Sequence, residues 1–350
     1  MEPKAIASIF GARLRQARAM LGWSLRVLAE RLQGKISHTT IDQLENGERV
    51  PGSDVLLALA ECLEQDLDFF FRPPRVQLGE IDFRKKANFG KKEITKVREE
   101  AAVHFERYLE LEELCGDNKS LRSPLGSRVV TTDADLDRAA LDLRQHWKLG
   151  LDPIPNVLEL LEQHGLKVHL LEGPDKFSGF SGRAGNIPIM VLNKAQPADR
   201  LRFTALHELG HILLDLMPGM DEENACHRFA GSLLMPTDVC RQELRSHRST
   251  LSIPELLILK RRWGMSMAAI ARRAQQSGVL SLESYRTLAR NFAIRGWRTR
   301  EPGEVVPEVV NRFDRLLFGA ISEGIITLSK ASELSGKSLE ELRTRLQGAE

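Results

Sequence analysis

The chain has 350 residues, 42% of them hydrophobic and 28% charged, with a formal net charge of +2 at pH 7. Such a length predicts two or three domains, and such a balance supplies an ordinary globular core. A near-neutral total excludes a generally basic coat for nucleic acid, so any nucleic-acid surface has to be local; no apolar run approaches the ~20 residues that span a bilayer.

Four cysteines, Cys62, Cys115, Cys226 and Cys240, form no C-x-x-C pair, which fits a reducing compartment better than a disulfide framework. The opening MEPKAIASIFGARLRQ lacks an apolar core followed by a small-residue cleavage site, so the expected location is cytoplasmic with no membrane partner.

Residues 8–70 read as consecutive short helices. IFGARLRQARAML has helical apolar spacing, SLRVLAERLQG starts at Ser24 as N-cap and stops at Gly34, and SHTTIDQLENG starts at Ser37 and stops at Gly47. Two short helices around a tight glycine turn suit a helix-turn-helix, whose second helix enters the major groove with its early residues on base edges. Ser37, His38, Thr39, Thr40, Asp42 and Gln43 would then face forward. Segment 10–51 holds seven basic residues against four acidic ones, which suits phosphate contact.

The string from Phe10 to Phe71 resembles the XRE (Cro-type) helix-turn-helix family over about 60 residues. The resemblance is carried by the Leu-Arg-x-x-Arg start, Gly22-Trp23-Ser24, Leu28-Ala29, Ile41 and Leu44-Glu45-Asn46-Gly47. Where the family often places a phosphate-contacting Gln, Leu25 stands, and Asp42 points an acid at the duplex.

Pro73-Pro74 ends this region. Next, FRKKANFGKKEITKVR at 83–98 carries seven positive residues and one acid. Its ordinary reading is a solvated face. The alternative is a nucleic-acid track in which Lys85, Lys86, Lys91 and Lys92 meet phosphate while Phe83 and Phe89 offer stacking faces. Residues 91–115 predict one long helix, and 116–135 a Gly-, Ser- and Asp-rich linker. After it, IPNVLELLEQHG predicts a helix, LKVHLLE a strand, FSGFSGRAGN a glycine-rich turn, and IPIMVLN a second strand at a sheet edge that could pair with an extended peptide. The remainder is mainly helical.

LRFTALHELGHILLDLMPG at 201–219 holds an H-E-x-x-H. On a helix, residues four apart share a face, so His207 and His211 can hold one metal while Glu208 takes a proton from bound water. The bland alternative is an amphipathic helix that happens to carry two histidines. Catalytic zinc needs a third protein ligand; the metzincin position is Met217, which excludes that class. A turn at 217–220 would fold the helix DEENACHRFAGSLLM back, presenting Glu223, with Glu222 as runner-up. Asp215, one turn past His211, is a candidate to orient an imidazole, or equally a solvated end of the helix. His227, His247 and Arg202 are candidates to stabilise an oxyanion.

GFSGRAGNIPIMVLNKAQPADRLRFTALHELGHILLD and DEENACHRFAGSLLMP together resemble the ImmA/IrrE peptidase family over roughly 140–300. Departures fall at Asp215, where His is common, and His227, where Asn or Asp is common; both bear on tuning around the ligands.

The resemblances imply an α+β, mainly helical chain: an all-α helix-turn-helix domain at 1–75, a basic linker and long helix at 76–135, a zincin-like peptidase domain with a small sheet at 136–300, and a helical tail at 301–350. The implied function is a Zn2+-dependent regulatory endopeptidase that cleaves a helix-turn-helix repressor, in trans or itself, to induce a stress, DNA-damage or phage-defence response. Glu208 would be the base and His207, His211 and Glu223 the ligands. Double- or single-stranded DNA could serve as activator or scaffold, and a homodimer is open. The alternative is a DNA-binding regulator that uses its zinc domain only as a sensor. Cys115, at the end of the long helix, is a candidate inhibitory zinc ligand; its ordinary reading is a small apolar residue at a helix end.

Overall fold

A computed structural model describes residues 3–76, 78, 90–126 and 128–348. Lys85, Lys86, Phe83, Phe89 and the side chain of Lys91 lie outside the described residues. The described residues form sixteen α-helices and small sheets, a mainly helical α+β chain. No helix among them is long and apolar enough to cross a membrane. The chain divides into two compact units, residues 1–118 with 183–186 and 311–350, and residues 119–182 with 187–310.

The first unit begins with α1 (Pro3–Met20), α2 (Leu25–Arg31), α3 (His38–Glu45) and α4 (Ser53–Cys62), followed by a 3-10 turn at Leu67–Phe71. The Ser24 hydroxyl accepts from Val27 N–H at 3.2 Å and the Ser37 hydroxyl from Thr40 N–H at 3.1 Å. These bonds fix the starts of α2 and α3. Phe10, Leu14, Leu28, Ile41, Leu44 and Leu59 fill the core between them. At Gly11 an added Cβ would meet Leu44 O at 2.5 Å, so the close crossing of α1 over the end of α3 admits only glycine. Buried Glu45 receives both arms of Arg18, at 2.6 and 2.8 Å.

The long helix α5 (Lys91–Cys115) packs on α1, where buried Arg13 pairs with Glu106. Its far end meets the C-terminal helices α14 (Arg312–Ser322), α15 (Leu328–Ser335) and α16 (Leu339–Leu346). Leu111 shares a core with Leu317, Leu334 and Leu342, and buried Arg312 is held by Glu112, the Tyr108 hydroxyl at 3.2 Å and Asp117 at 3.0 Å.

The second unit holds β1 (Val129–Val130), α6 (Asp133–His146), α7 (Val157–Gln163), β2 (Lys167–Leu171), β3 (Gly179–Ala184), β4 (Ile187–Asn193), α8 (Ala198–Leu213) and β5 (Asp215–Leu216). Then come α9 (Glu222–Leu234), α10 (Thr237–Leu244), α11 (Ile253–Trp263), α12 (Met267–Gln276) and α13 (Leu282–Ile294). The sheet order is β2-β4-β3, with β2 and β4 parallel and Lys167 opposite Ile189. Two expectations are corrected by this sheet. Residues 179–184 are a strand rather than a turn, and β4 is the central strand rather than an edge. Hydrogen-bonded on both sides, β4 has no backbone groups left for a peptide.

Helices α8 and α9 pack closely. An added Cβ at Gly210 would meet the Cys226 sulfur at 3.1 Å, so the glycine of H-E-L-G-H sets how near α9 approaches. Asp137 of α6 ties three helices together. It accepts from Arg228 at 2.7 Å, from Arg273 at 3.1 Å and from the Ser232 hydroxyl. Burial works against its charge, but Arg273, Ser232 and Arg228 outweigh it and hold the carboxyl below its ordinary range.

Candidate metal centre

His207, Glu208 and His211 sit on α8, which an apolar face of Leu201, Ala205, Leu206 and Leu209 buries in the core of the unit. His207 and Glu208 are buried, while His211 is half-buried. Between α8 and α9 the chain turns at Met217–Met220, where Met220 N–H bonds Met217 O at 3.1 Å. Asp221 caps α9 by accepting from Asn224 N–H at 3.1 Å, and the first turn of α9 then faces the histidines.

Among the described residues, one group of side chains could hold a metal ion: His207, His211 and Glu223, with ligand atoms all within 4.8 Å of one another. The two Nε2 atoms are 3.1 Å apart, and Glu223 oxygens lie 3.3 Å from His207 Nε2 and 3.7 Å from His211 Nε2. Two imidazole nitrogens and one carboxylate are the donor set that suits zinc and leaves a coordination place open. The Glu223 side chain is 44% exposed, so the cluster is reachable from its carboxylate side.

Glu222 points elsewhere. Its Oε1 is 2.8 Å from His211 Nδ1. A proton on Nδ1 directed to that carboxylate leaves the Nε2 lone pair for the cluster. This is the orienting task that one of the two readings gives to Asp215; α8 stops at Leu213, and Asp215 pairs in β5 opposite Val129, exposed, as in the solvated reading.

Glu208 has a partner that sequence reasoning missed. The Ser181 hydroxyl of β3 donates to Glu208 Oε2 at 3.0 Å. Reading GFSGRA as a strand would have placed Ser181 on the face opposite Phe180 and Ala184, which are both buried. His227 stands at the exposed rim, its Nδ1 2.7 Å from Glu223 O and its ring 4.2 Å from that of His207. Arg202 is not free to meet an oxyanion. It is buried, paired with Glu308, and donates to Ile154 O at 2.6 Å and Pro155 O at 3.2 Å.

Cys115 is not in the metal cluster. It packs beside Leu111 and the C-terminal helices, and burial, then Asp117 and Glu323, push its thiol up. These surroundings disfavour the thiolate, the form that binds zinc. In the first unit, Ser37, His38 and Thr39 are exposed at the start of α3, and Thr40 and Gln43 are half-buried. The Ser37 hydroxyl is also 3.0 Å from that of Thr40. Lys92 is exposed on α5, with its Cε 4.0 Å from where a Cβ on Gly22 would stand.

Residues 161–275 match the family profile described as the IrrE N-terminal-like domain, a peptidase family, and residues 14–70 match the profile described as helix-turn-helix. No curated protein and no solved structure matches the chain. The two matched segments contain α3 with its forward residues and α8 with the H-E-x-x-H, and the chain therefore joins an XRE-type helix-turn-helix domain, the mark of a DNA-binding regulator, to a metallopeptidase-type domain of the ImmA/IrrE family.

Proposed function

We propose that the protein is a zinc-dependent regulatory endopeptidase whose substrate is a helix-turn-helix repressor, and that cleavage releases genes of a stress, DNA-damage or phage-defence response. The observation that carries the reading is the convergence of His207, His211 and Glu223 within 4.8 Å beside a buried glutamate on the same helix. A bound zinc would supply Lewis acidity toward the scissile carbonyl and toward water. Glu208 takes the proton of the attacking water and passes it to the leaving amine. Ser181 keeps one oxygen of Glu208 fixed, so the other is the one that meets the water. Glu222 holds the ring of His211 in place. His227, on the exposed rim, is placed to meet substrate.

The helix-turn-helix domain supports DNA as scaffold or activator, read through His38, Thr39 and Gln43, with Ser37 and Thr40 partly committed to capping α3. Lys92 on α5 adds positive charge beside the start of α2.

The test is incubation of the zinc-loaded chain with purified helix-turn-helix repressors, read by intact mass. A single backbone cut, absent with chelator and with Glu208→Gln, is expected. Repressors left whole by a zinc-replete chain, while regulation in cells persists with Glu208→Gln, would instead favour the zinc domain as a sensor.

A further inference from the structure

Within the second unit, next to the metal cluster, lies a separate wide cavity of about 1720 Å³. His207, Glu208, His211 and Glu223 do not line it, but His227 does. The His227 ring is 4.2 Å from that of His207 on one side and 5.8 Å from that of Phe203 on the other. Anything filling the cavity at His227 is therefore one side chain away from the reacting residues.

The charges around this cavity are unevenly committed. Most of its acids are already engaged. Asp199 and Glu301 are buried against Lys260 at 2.8 and 3.3 Å, Glu301 also accepts from Met267 N–H at 2.6 Å to cap α12, and Asp133 holds Arg228 at 2.8 Å. Its exposed arginines lack an anion. Arg200, Arg272, Arg298 and Arg300 all line it, and none forms an ion pair among the described residues, although Arg200 donates to Arg298 O at 3.3 Å and Arg272 to Gln275 Oε1 at 3.1 Å. Between them lie apolar surfaces: the guanidinium of Arg272 sits 5.3 Å over Tyr285, and Trp297 packs at 6.0 Å on Phe292.

We propose that this cavity is the substrate-recognition site, and that it takes an acidic segment of a protein substrate, with apolar side chains spaced between its carboxylates. The proposal rests on the peptidase reading and names the substrate class for it. Guanidinium groups pair carboxylates bidentately, and ones without an anionic partner in a concave wall give both orientation and selectivity. The same arginines and rings could suit a nucleic-acid strand. Two exposed acids, Asp221 and Glu304, also line the cavity. They would repel an unbroken run of phosphates but can sit between spaced carboxylates. Continuity with His207 through His227 likewise favours a polypeptide that runs on to the cluster.

The experiment uses the full zinc-loaded chain carrying Glu208→Gln, so that binding is read without cleavage. Three labelled probes are compared by fluorescence polarisation: a 16-residue peptide of leucines and spaced glutamates, the same peptide with every Glu replaced by Gln, and a 16-nucleotide oligothymidylate. The acidic peptide is expected to bind about tenfold or more tighter than its Gln twin. The triple variant Arg272→Glu, Arg298→Glu, Arg300→Glu is expected to abolish that preference while keeping its zinc and its circular dichroism. Equal binding of the two peptides, no binding of either, or a preference that survives the triple variant overturns the proposal. Preferential uptake of the oligonucleotide, lost in the triple variant, overturns it in favour of nucleic acid. Should the acidic peptide bind as expected while the chain without Glu208→Gln cuts no protein, the peptidase reading fails and the recognition site stands. Zinc-dependent cutting with no acidic preference leaves the peptidase and removes the site.

Discussion

In α8 and α9 the residues that make the signature face one another around a shared point: His207, His211 and Glu223 meet within 4.8 Å, and Glu208 stands beside them. In α1 to α3 most of the signature turns inward. Glu45 is buried under Arg18, Gly11 lets two helices touch, Ile41 and Leu44 are core, and Ser37 and Thr40 share their hydroxyls at the cap. A metal-site motif is thus a statement about chemistry, because what it specifies is how polar atoms converge. A helix-turn-helix motif is mostly a statement about packing, and leaves outside the core only a few polar residues such as His38, Thr39 and Gln43, the contacts proposed for DNA. Substitutions in the first pair should abolish an activity while sparing the fold. Substitutions in the second should unfold the domain or shift affinity by small steps.

Glu208→Gln is the sharpest case. It should lower cleavage by about a thousandfold, in the range for a lost general base, with zinc content unchanged by atomic absorption. Retained cleavage would remove Glu208 from the chemistry and break the comparison on its catalytic side.

Glu45→Ala should cost the first unit about 3 kcal/mol in urea unfolding, because Arg18 loses a buried carboxylate bonded at 2.6 and 2.8 Å. Peptidase turnover on a short peptide should stay unchanged. A stable domain that merely lost DNA affinity would mean that Glu45 is a contact residue and not a brace.

Asp137→Asn should destabilise the second unit by about 2 kcal/mol, since Arg273 and Arg228 keep their burial and lose their anion. The sign with pH follows from its depressed carboxyl. Its stabilisation is complete above the ordinary Asp value of about 4 and disappears as pH falls through the lower folded value. Acid unfolding of Asp137→Asn should be correspondingly flatter below pH ~4; an identical acid limb in both proteins would deny the pair this contribution.

The smallest effect belongs to Lys92. Replacing it with Gln should reduce the slope of log affinity against log salt for duplex DNA by about 0.9, the share of one phosphate contact. An unchanged slope would return Lys92 to the solvated face of α5.

Much of this was legible in the sequence because it rests on local chemistry. Ser24 and Ser37 marked helix starts, since a hydroxyl that caps a helix must sit at its first residue. The four-residue spacing of His207 and His211 is a property of any helix. What was hidden depended on other parts of the chain. Asp215 failed as an orienting residue because α8 ends at Leu213, where β1 supplies a partner for an extended chain. Strand β3 was masked by the small residues of GFSGRA, which resemble a turn until β4 is seen beside them, and with it went Ser181. The division of labour between Glu222 and Glu223 depends on how far α9 is rotated, which the approach at Gly210 and Cys226 sets and no local pattern announces.

The most direct measurement for the central claim is the zinc content of the purified chain, its Glu223→Gln variant and its Glu222→Gln variant, dialysed side by side at equal free zinc. One zinc per chain is expected in the unaltered protein. Glu223→Gln should lose most of its metal, because one of three ligands is gone. Glu222→Gln should weaken binding only by about ten- to a hundredfold, as expected when a ligand keeps its nitrogen but loses its orienting carboxylate. Equal retention by the two variants, or a greater loss from Glu222→Gln, would contradict the assignment of Glu223 as the third ligand.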